Sequence, residues 1–117
     1  MKCLTITVPC FNSQDYIKRC MDSLLVGGND VEIIIVDDGS TDKTAEIADK
    51  YREQYPDIVK VVHKENGGHG SGVNKGLELA TGMYFKVVDS DDWLDTNSYK
   101  ELINKINSLT TTGCTNY

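Results

Sequence analysis

Positive charge is scarce in this 117-residue chain, in which 12 Lys and Arg stand against 18 Asp and Glu for a net charge of −6. Nucleic-acid and anionic-membrane surfaces need a basic patch, so we expect no nucleic-acid partner. Long apolar runs are missing too, and no leader-like segment follows Met1. We therefore expect a cytoplasmic location, with any contact to the inner face of the membrane made by parts outside this chain.

Cysteine and histidine are too few and too scattered for the usual sites. The four cysteines include no C-x-x-C pair, which argues against a zinc knuckle or a thioredoxin-type motif. Cys3, Cys10 and Cys20 stand in apolar contexts, where a reduced thiol behaves as a small hydrophobic side chain. The two histidines, His63 and His69, are not interpreted as a metal pair.

Strand-like and helix-like segments alternate along the whole chain. The apolar periodicity predicts strands over 4–8, 31–36, 58–63 and 83–88, each followed by a helix, the second over 42–53 and the third from 73. Pro9 is expected to end the first strand, Ser40 or Thr41 to cap the second helix, and Asp95 or Thr96 to cap the fourth. Residues 64–72, rich in glycine, are expected to form a loop.

This alternation predicts an α/β fold, a parallel-sheet α/β/α sandwich with right-handed crossovers. The length suits a single domain over residues 1–117, with 110–117 either a loose tail or the start of another strand. In such folds the loops at the carboxyl ends of the strands line the ligand crevice. The acidic clusters after strands two and four are therefore expected to meet at one edge.

Three carboxylates crowd the segment after the fourth strand: Asp89, Asp91 and Asp92. They repel one another, and no basic residue lies between them. A hard divalent cation with oxygen ligands, Mn²⁺ or Mg²⁺, would relieve this repulsion. The alternative is a solvated acidic turn in front of a helix cap. A bound cation would also let an acidic protein hold an anionic diphosphate.

Two further segments are candidates for ligand contact. Asp37 and Asp38 directly follow a buried strand, and Gly39 allows close approach of a ligand or a positive φ angle. A turn with a helix cap is the alternative there. The glycine-rich segment 66–72 precedes a helix, as phosphate-binding loops do, but it lacks the G-x-G-x-x-G pattern of dinucleotide sites. A flexible loop explains it equally well.

These motifs together resemble family 2 glycosyltransferases of the GT-A type, in the family's order and over roughly residues 3–108. The resemblance implies a domain that binds a UDP-sugar and transfers the sugar to an acceptor, with inversion, in cell-surface polysaccharide synthesis. The acceptor would be a carbohydrate or a lipid-linked molecule. The matching segments are Thr5–Asn12, Ile35–Asp42, Asn66–Gly68 with Asn74–Gly76, and Asp89–Asp92.

The resemblance also implies roles for individual residues. Pro9, Phe11 and Asn12 would border the base and ribose, and Asp38 would accept a hydrogen bond from the uracil N–H. The nucleotide would be flanked by Gly67, Gly68 and Lys75. Asp89-Ser90-Asp91 matches the family's D-x-D motif: Asp91 would be the main metal ligand, Asp89 would lie near ribose and metal with Ser90 beside the nucleotide, and Asp92 would support them.

The chain departs from the family in two places. An arginine-containing A-R-N pattern is usual where this sequence has Val73-Asn74-Lys75. Family members are also longer, and their second half supplies the acceptor site and a carboxylate base that no residue here matches. We therefore expect no catalytic residue within this chain and little turnover by the isolated chain, and a homodimer stays open.

Three other functions are alternatives to this one. A nucleotidyltransferase would need a basic, glycine-rich loop after the first strand, where this chain has Pro9-Cys10-Phe11-Asn12. A phosphoacceptor receiver domain would need acids after strands one and three. A non-catalytic nucleotide-binding fragment would share the fold and the donor site, and the sequence does not separate it from an enzyme's donor half.

Overall fold

The computed structural model describes residues 2–109, which form one four-stranded parallel sheet with helices between the strands. The strand order is β3-β2-β1-β4, so the two most hydrophobic strands lie in the middle. The predicted parallel α/β architecture is confirmed. The elements are β1 Leu4–Cys10, α1 Ile17–Leu25, β2 Val31–Asp38, α2 Thr44–Gln54, β3 Val59–Lys64, α3 His69–Leu79, β4 Tyr84–Val87 and α4 Thr96–Leu109, with a 3-10 turn at Gly28–Asp30.

The hydrophobic core lies on one face of the sheet. Alternate side chains of a strand point to opposite faces, and Leu4, Ile6 and Val8 of β1 join Ile33 and Ile35 of β2 in this core. The helices α1, α2 and α4 cover that face with the apolar stripes that their periodicity predicts. The packed side chains from these helices are Ile17, Cys20, Met21, Leu24, Ala48, Tyr51, Tyr99, Ile103 and Ile106.

Helix α3 covers the opposite face and comes unusually close to β1. Its Gly72 lies against Pro9, and its Gly76 lies directly on Thr7, so that a Cβ on Gly76 would stand 2.5 Å from the Thr7 Cβ. Glycine therefore sets the spacing between this helix and the sheet. Each glycine makes the helix less stable than alanine would by about 1 kcal/mol. Intrinsic helix propensity therefore argues against a helix here, although the close packing on the sheet requires these glycines.

Several predicted boundaries were wrong for identifiable reasons. Pro9 does not end β1, because past Thr7 this strand pairs with β2 alone and a missing N–H is tolerated there. Helix α3 starts at His69 rather than 73, inside the segment predicted to be a loop. Neither Ser40 nor Thr41 caps α2; Asp42 Oδ1 instead accepts the Thr44 N–H at 2.9 Å.

Of the other local predictions, the cap of α4 holds and the burial of Tyr16 does not. Asp95 Oδ2 accepts the Ser98 N–H at 3.0 Å at the start of α4, as a capping side chain does. Tyr16, expected on the buried face of α1, is 56% exposed because the helix begins one residue later. In residues 2–109 no helix is both long and apolar enough to span a bilayer. The alternatives for residues 110–117 lie outside the described residues.

A buried carboxylate joins three elements at the amino edge of the sheet. Glu32 accepts hydrogen bonds from Thr5 Oγ1 at 2.9 Å and from the Thr81 N–H at 2.9 Å, and Lys60 forms an ion pair with it. Burial raises the pKa of Glu32, but these donors outweigh it and hold the pKa below its ordinary value. This acid is therefore structural, and it lies at the opposite end from the acidic clusters of the carboxyl edge.

Candidate functional site

A cavity of about 380 Å³ opens at the carboxyl edge of the sheet, between the loops that follow β1, β2 and β4 and the start of α3. This is the edge where parallel α/β sheets place their ligands. The sequence-distant acidic segments after β2 and β4 meet here, as predicted. The lining residues are Pro9, Cys10, Phe11, Asn12, Ser13, Tyr16, Asp38, Gly68, His69, Asp89, Ser90 and Asp91.

Asp38 is a buried carboxylate at one end of this cavity, with 5% of its surface exposed. Its Oδ1 accepts from Lys64 Nζ and from the Gly67 N–H, both at 2.8 Å, and its Oδ2 accepts from the Gly68 N–H at 2.9 Å. Burial raises the pKa of Asp38, but the donors, Lys64 first, more than offset it and hold the pKa below its usual value. Asp38 is therefore an ionised acceptor at the cavity wall.

The acidic turn after β4 lies at the other end. The Asp92 N–H donates to the Asp89 carbonyl at 2.9 Å, and this turn brings carboxylate oxygens of Asp89, Asp91 and Asp92 within 4.8 Å of one another. Ser90 is buried and its Oγ lies 2.6 Å from Ser13 Oγ, which ties the turn to the loop after β1. An all-oxygen set of three carboxylates suits Mn²⁺ or Mg²⁺.

The loop after β1 forms the third wall. Asn12 has a φ of 48°, and its Oδ1 accepts the Thr41 N–H at 2.8 Å while its own N–H donates to Ser40 Oγ at 3.0 Å. Asn12 therefore joins the loops that follow β1 and β2. Beside it, Phe11 is 49% exposed and also lines the cavity.

Three predicted residues do not line the cavity. Gly67 contacts Asp38 as one of its donors, and Asp92 stands beside Asp91 with its carboxylate grouped with those of Asp89 and Asp91. Lys75 lies further along α3, where its Nζ is 3.6 Å from Glu78 Oε1. The structure thus brings together Pro9, Phe11, Asn12, Asp38, Gly68, Asp89, Ser90 and Asp91, and leaves Lys75 apart from them.

Sequence reasoning missed His69 as a site residue. Its Nε2 lies 2.6 Å from Asp89 Oδ1, so the first residue of α3 contacts the acidic turn across the cavity. The apolar periodicity placed the start of α3 at 73 and so left His69 in a loop. Because α3 begins at 69, this side chain lies at the carboxyl edge. Tyr16 and Ser13 also line the cavity without having been predicted.

The thiols of Cys10 and Cys20, near the cavity, are unreactive. Burial, reinforced by the neighbouring carboxylate of Asp37, raises the pKa of Cys10 to about 12. Burial and the carboxylates of the acidic turn, Asp92 first, raise the pKa of Cys20 to about 12 as well. The thiolate is the reactive form, so neither side chain is a nucleophile at neutral pH. This agrees with the expected structural role of these cysteines.

A histidine bridges two carboxylates beside the site. His63 Nδ1 lies 2.9 Å from Asp37 Oδ2, and its Nε2 lies 2.8 Å from Asp49 Oδ1. These contacts, Asp37 first, raise the pKa of His63 above 6.5. Asp37 Oδ1 also accepts the Ser40 N–H at 3.0 Å, so the bridge supports the loop after β2.

We expect this bridge to make stability depend on pH. A raised folded pKa means that the stabilisation is complete below the unfolded value of 6.5 and is lost as pH rises through the folded value. Because His63 is partly exposed, the effect should be below about 1 kcal/mol. Urea unfolding of wild type and His63→Gln from pH 5 to pH 9 measures it. The difference should shrink as pH rises; a constant difference would contradict this assignment.

The chain belongs to glycosyltransferase family 2, whose family model matches residues 5–115. The glycosyltransferase YibD of Escherichia coli K12 is 41% identical over 101 residues, which cover 86% of this chain and 29% of YibD. The structure of S. aureus TarS in complex with UDP-GlcNAc is similar with a TM-score of 0.79 and 34% identity, over 92% of this chain and 32% of that one.

A second solved structure adds a metal. The mannosyltransferase PcManGT from Pyrobaculum calidifontis, in complex with GDP-Man and Mn²⁺, is similar with a TM-score of 0.74 and 26% identity, over 82% of this chain and 30% of that one. The present chain thus spans about a third of the length of the proteins it matches. The GT-A fold expected from the sequence is confirmed.

Proposed function

We propose that this chain is the donor-binding part of a metal-dependent glycosyltransferase that takes a UDP-sugar. The observation that carries the proposal is one cavity with an ionised acceptor, Asp38, at one end and the carboxylates of Asp89 and Asp91 at the other. A nucleoside diphosphate has matching ends: a base with N–H donors, and a diphosphate that a cation can bridge. Similar structures solved in complex with UDP-GlcNAc, and with GDP-Man and Mn²⁺, support a nucleotide-sugar ligand and a metal for this site.

The base end is defined by hydrogen-bond direction. Asp38 only accepts, so it suits the N3–H of uracil. Pro9, Phe11 and Asn12 would border the base and ribose, and the partly exposed ring of Phe11 would offer the base a surface to stack on. Gly68 would line the same end with its backbone, since no side chain stands in the way there. Lys75 does not line the cavity, so we assign it no contact with the nucleotide.

The diphosphate end is defined by charge. Asp91 would be the principal ligand of Mn²⁺ or Mg²⁺, Asp89 would lie between ribose and metal beside Ser90, and Asp92 would complete the set. A cation bound there would neutralise the charge that develops on the departing diphosphate. The protein's own part is to hold these carboxylates ready, with Ser13 and Ser90 fixing the turn.

The rest of the reaction lies beyond the donor site. Transfer with inversion needs a base to take the proton of the attacking hydroxyl, and we assign that role to no residue of this chain. The acceptor would be a carbohydrate or a lipid-linked molecule. We therefore expect the isolated chain to bind nucleotide with little or no transfer.

Thermal unfolding of the purified chain with UDP, with Mn²⁺ and with both together tests the proposal. A ligand at about 100 times its dissociation constant should stabilise the fold by about 2.7 kcal/mol. For a domain of this size the melting temperature should rise on the order of 10 °C. The full shift should require both ligands, because the diphosphate is held through the cation. No shift with UDP, GDP or TDP in the presence of metal would overturn the proposal.

A further inference from the structure

Lys64, the last residue of β3, lies outside the cavity and has no role in the function proposed above. We propose that Lys64 is a positioning residue that sets the base preference of the site, by keeping Asp38 in the form that only accepts hydrogen bonds. The site then prefers uracil, whose ring N3 carries a hydrogen, over cytosine, whose ring N3 carries a lone pair. This inference rests on the proposed function, because it needs the base to lie against Asp38.

The hydrogen bonds of Asp38 leave one place for a ligand. An ionised carboxylate has about four acceptor directions, two on each oxygen. Both directions of Oδ1 are taken, by Lys64 Nζ and the Gly67 N–H. Oδ2 accepts only the Gly68 N–H among the described residues, and Asp38 lines the cavity. The remaining direction of Oδ2 is thus the one available to a bound base.

The surroundings of Lys64 fix its ammonium group beside Asp38. Its side chain is only 21% exposed, its Nζ also donates to the Glu65 carbonyl at 2.7 Å, and it is the cation paired with Asp38 within residues 2–109. Burial of a carboxylate favours its protonated form unless a charge or donors compensate. Two backbone amides remain without Lys64, but they bring no full charge. Removing the ammonium would therefore admit the protonated form of Asp38.

The charge state of Asp38 decides between two bases of equal size. Uracil presents an N–H at N3, which a carboxylate accepts. Cytosine presents a lone pair at N3, which a carboxylate repels and a protonated carboxyl would meet with its O–H. The two nucleotides share ribose and diphosphate, so the ratio of their affinities isolates the base contact. Damage to the fold or to the metal end lowers both affinities and leaves the ratio unchanged.

Isothermal titration of UDP and CDP, each with Mn²⁺, measures this ratio in the wild type, Lys64→Met, Lys64→Arg and Asp38→Asn. The wild type should prefer UDP by on the order of 100-fold, the worth of one charge-assisted hydrogen bond against a repulsive contact. Lys64→Met keeps the unbranched shape of the side chain as far as the ε position and loses its charge, and most of the preference should disappear. Lys64→Arg should keep it. Thermal unfolding without ligand checks that each variant is folded.

The outcomes separate the inference from the proposed function. Equal losses of UDP and CDP affinity in Lys64→Met, with the ratio intact, would mean that Lys64 only supports the loop, and the inference would fail. Asp38→Asn can present an amide N–H to cytosine, so it should lose the preference whatever Lys64 does. A preference that survives in Asp38→Asn, or a wild type that binds no UDP, would overturn the base site and the proposed function with it.

Discussion

Asp91→Asn should strongly weaken the Mn²⁺-dependent binding of UDP while making the ligand-free chain slightly more stable. Asp91 lines the cavity and belongs to the three carboxylates whose oxygens lie within 4.8 Å of one another. An amide is a weak ligand for a hard cation, so affinity for UDP with Mn²⁺ should fall on the order of 100-fold. Without metal the same change removes one of three mutually repelling charges, which favours the folded state.

Weaker ligand binding together with a more stable ligand-free chain distinguishes a metal site from an ordinary acidic turn. Asp15→Asn is the matched control: it removes the same charge from an exposed residue that does not line the cavity. Thermal unfolding of both variants, with and without UDP and Mn²⁺, gives the comparison. Asp15→Asn should keep the full ligand shift. If Asp91→Asn kept it too, or if it destabilised the ligand-free chain, the acidic turn would be structural and the metal assignment would be lost.

Much of this fold could be predicted from the sequence because its core strands are nearly continuous hydrophobic runs. Ile33 and Ile35 face the three-helix layer and Ile34 and Val36 face α3, so both sets are buried and the pattern indicates a doubly covered parallel strand. Parallel strands then force the loops after β2 and β4 to one edge, which places Asp38 and Asp89 around one cavity. The position of the site at this edge could therefore be predicted from the order and direction of the strands alone.

The parts that could not be predicted depend on packing between distant residues. The start of α3 at His69 follows from the fit of Gly72 and Gly76 onto Pro9 and Thr7, and no local periodicity encodes that fit. Intrinsic propensity argues for a loop where tertiary contact makes a helix. The missed contact of His69 with the acidic turn is a direct consequence. Likewise the donors around Asp38 come from β3 and from the segment before α3, which only the folded chain brings together.

Gly76→Ala should destabilise the chain by about 2 kcal/mol, against the usual effect of replacing a helical glycine. An added Cβ would stand 2.5 Å from the Thr7 Cβ and closer still to Thr7 Oγ1, so α3 must move off the sheet. Overpacking of this kind costs about 1–3 kcal/mol. Thr7 belongs to a central strand, and its Oγ1 donates to the Ile34 carbonyl at 3.3 Å, so it has little freedom to give way.

Gly70→Ala is the control within the same helix, because a Cβ there would meet nothing within 4 Å. It should stabilise the fold by about 0.5 kcal/mol through the higher helix propensity of alanine. Urea unfolding of the two variants should thus give changes of opposite sign. Since α3 begins beside Asp38 and Asp89, its displacement in Gly76→Ala should also weaken UDP binding, whereas Gly70→Ala should leave it intact. Equal stability of the two variants would mean that α3 is not held against β1 at this distance.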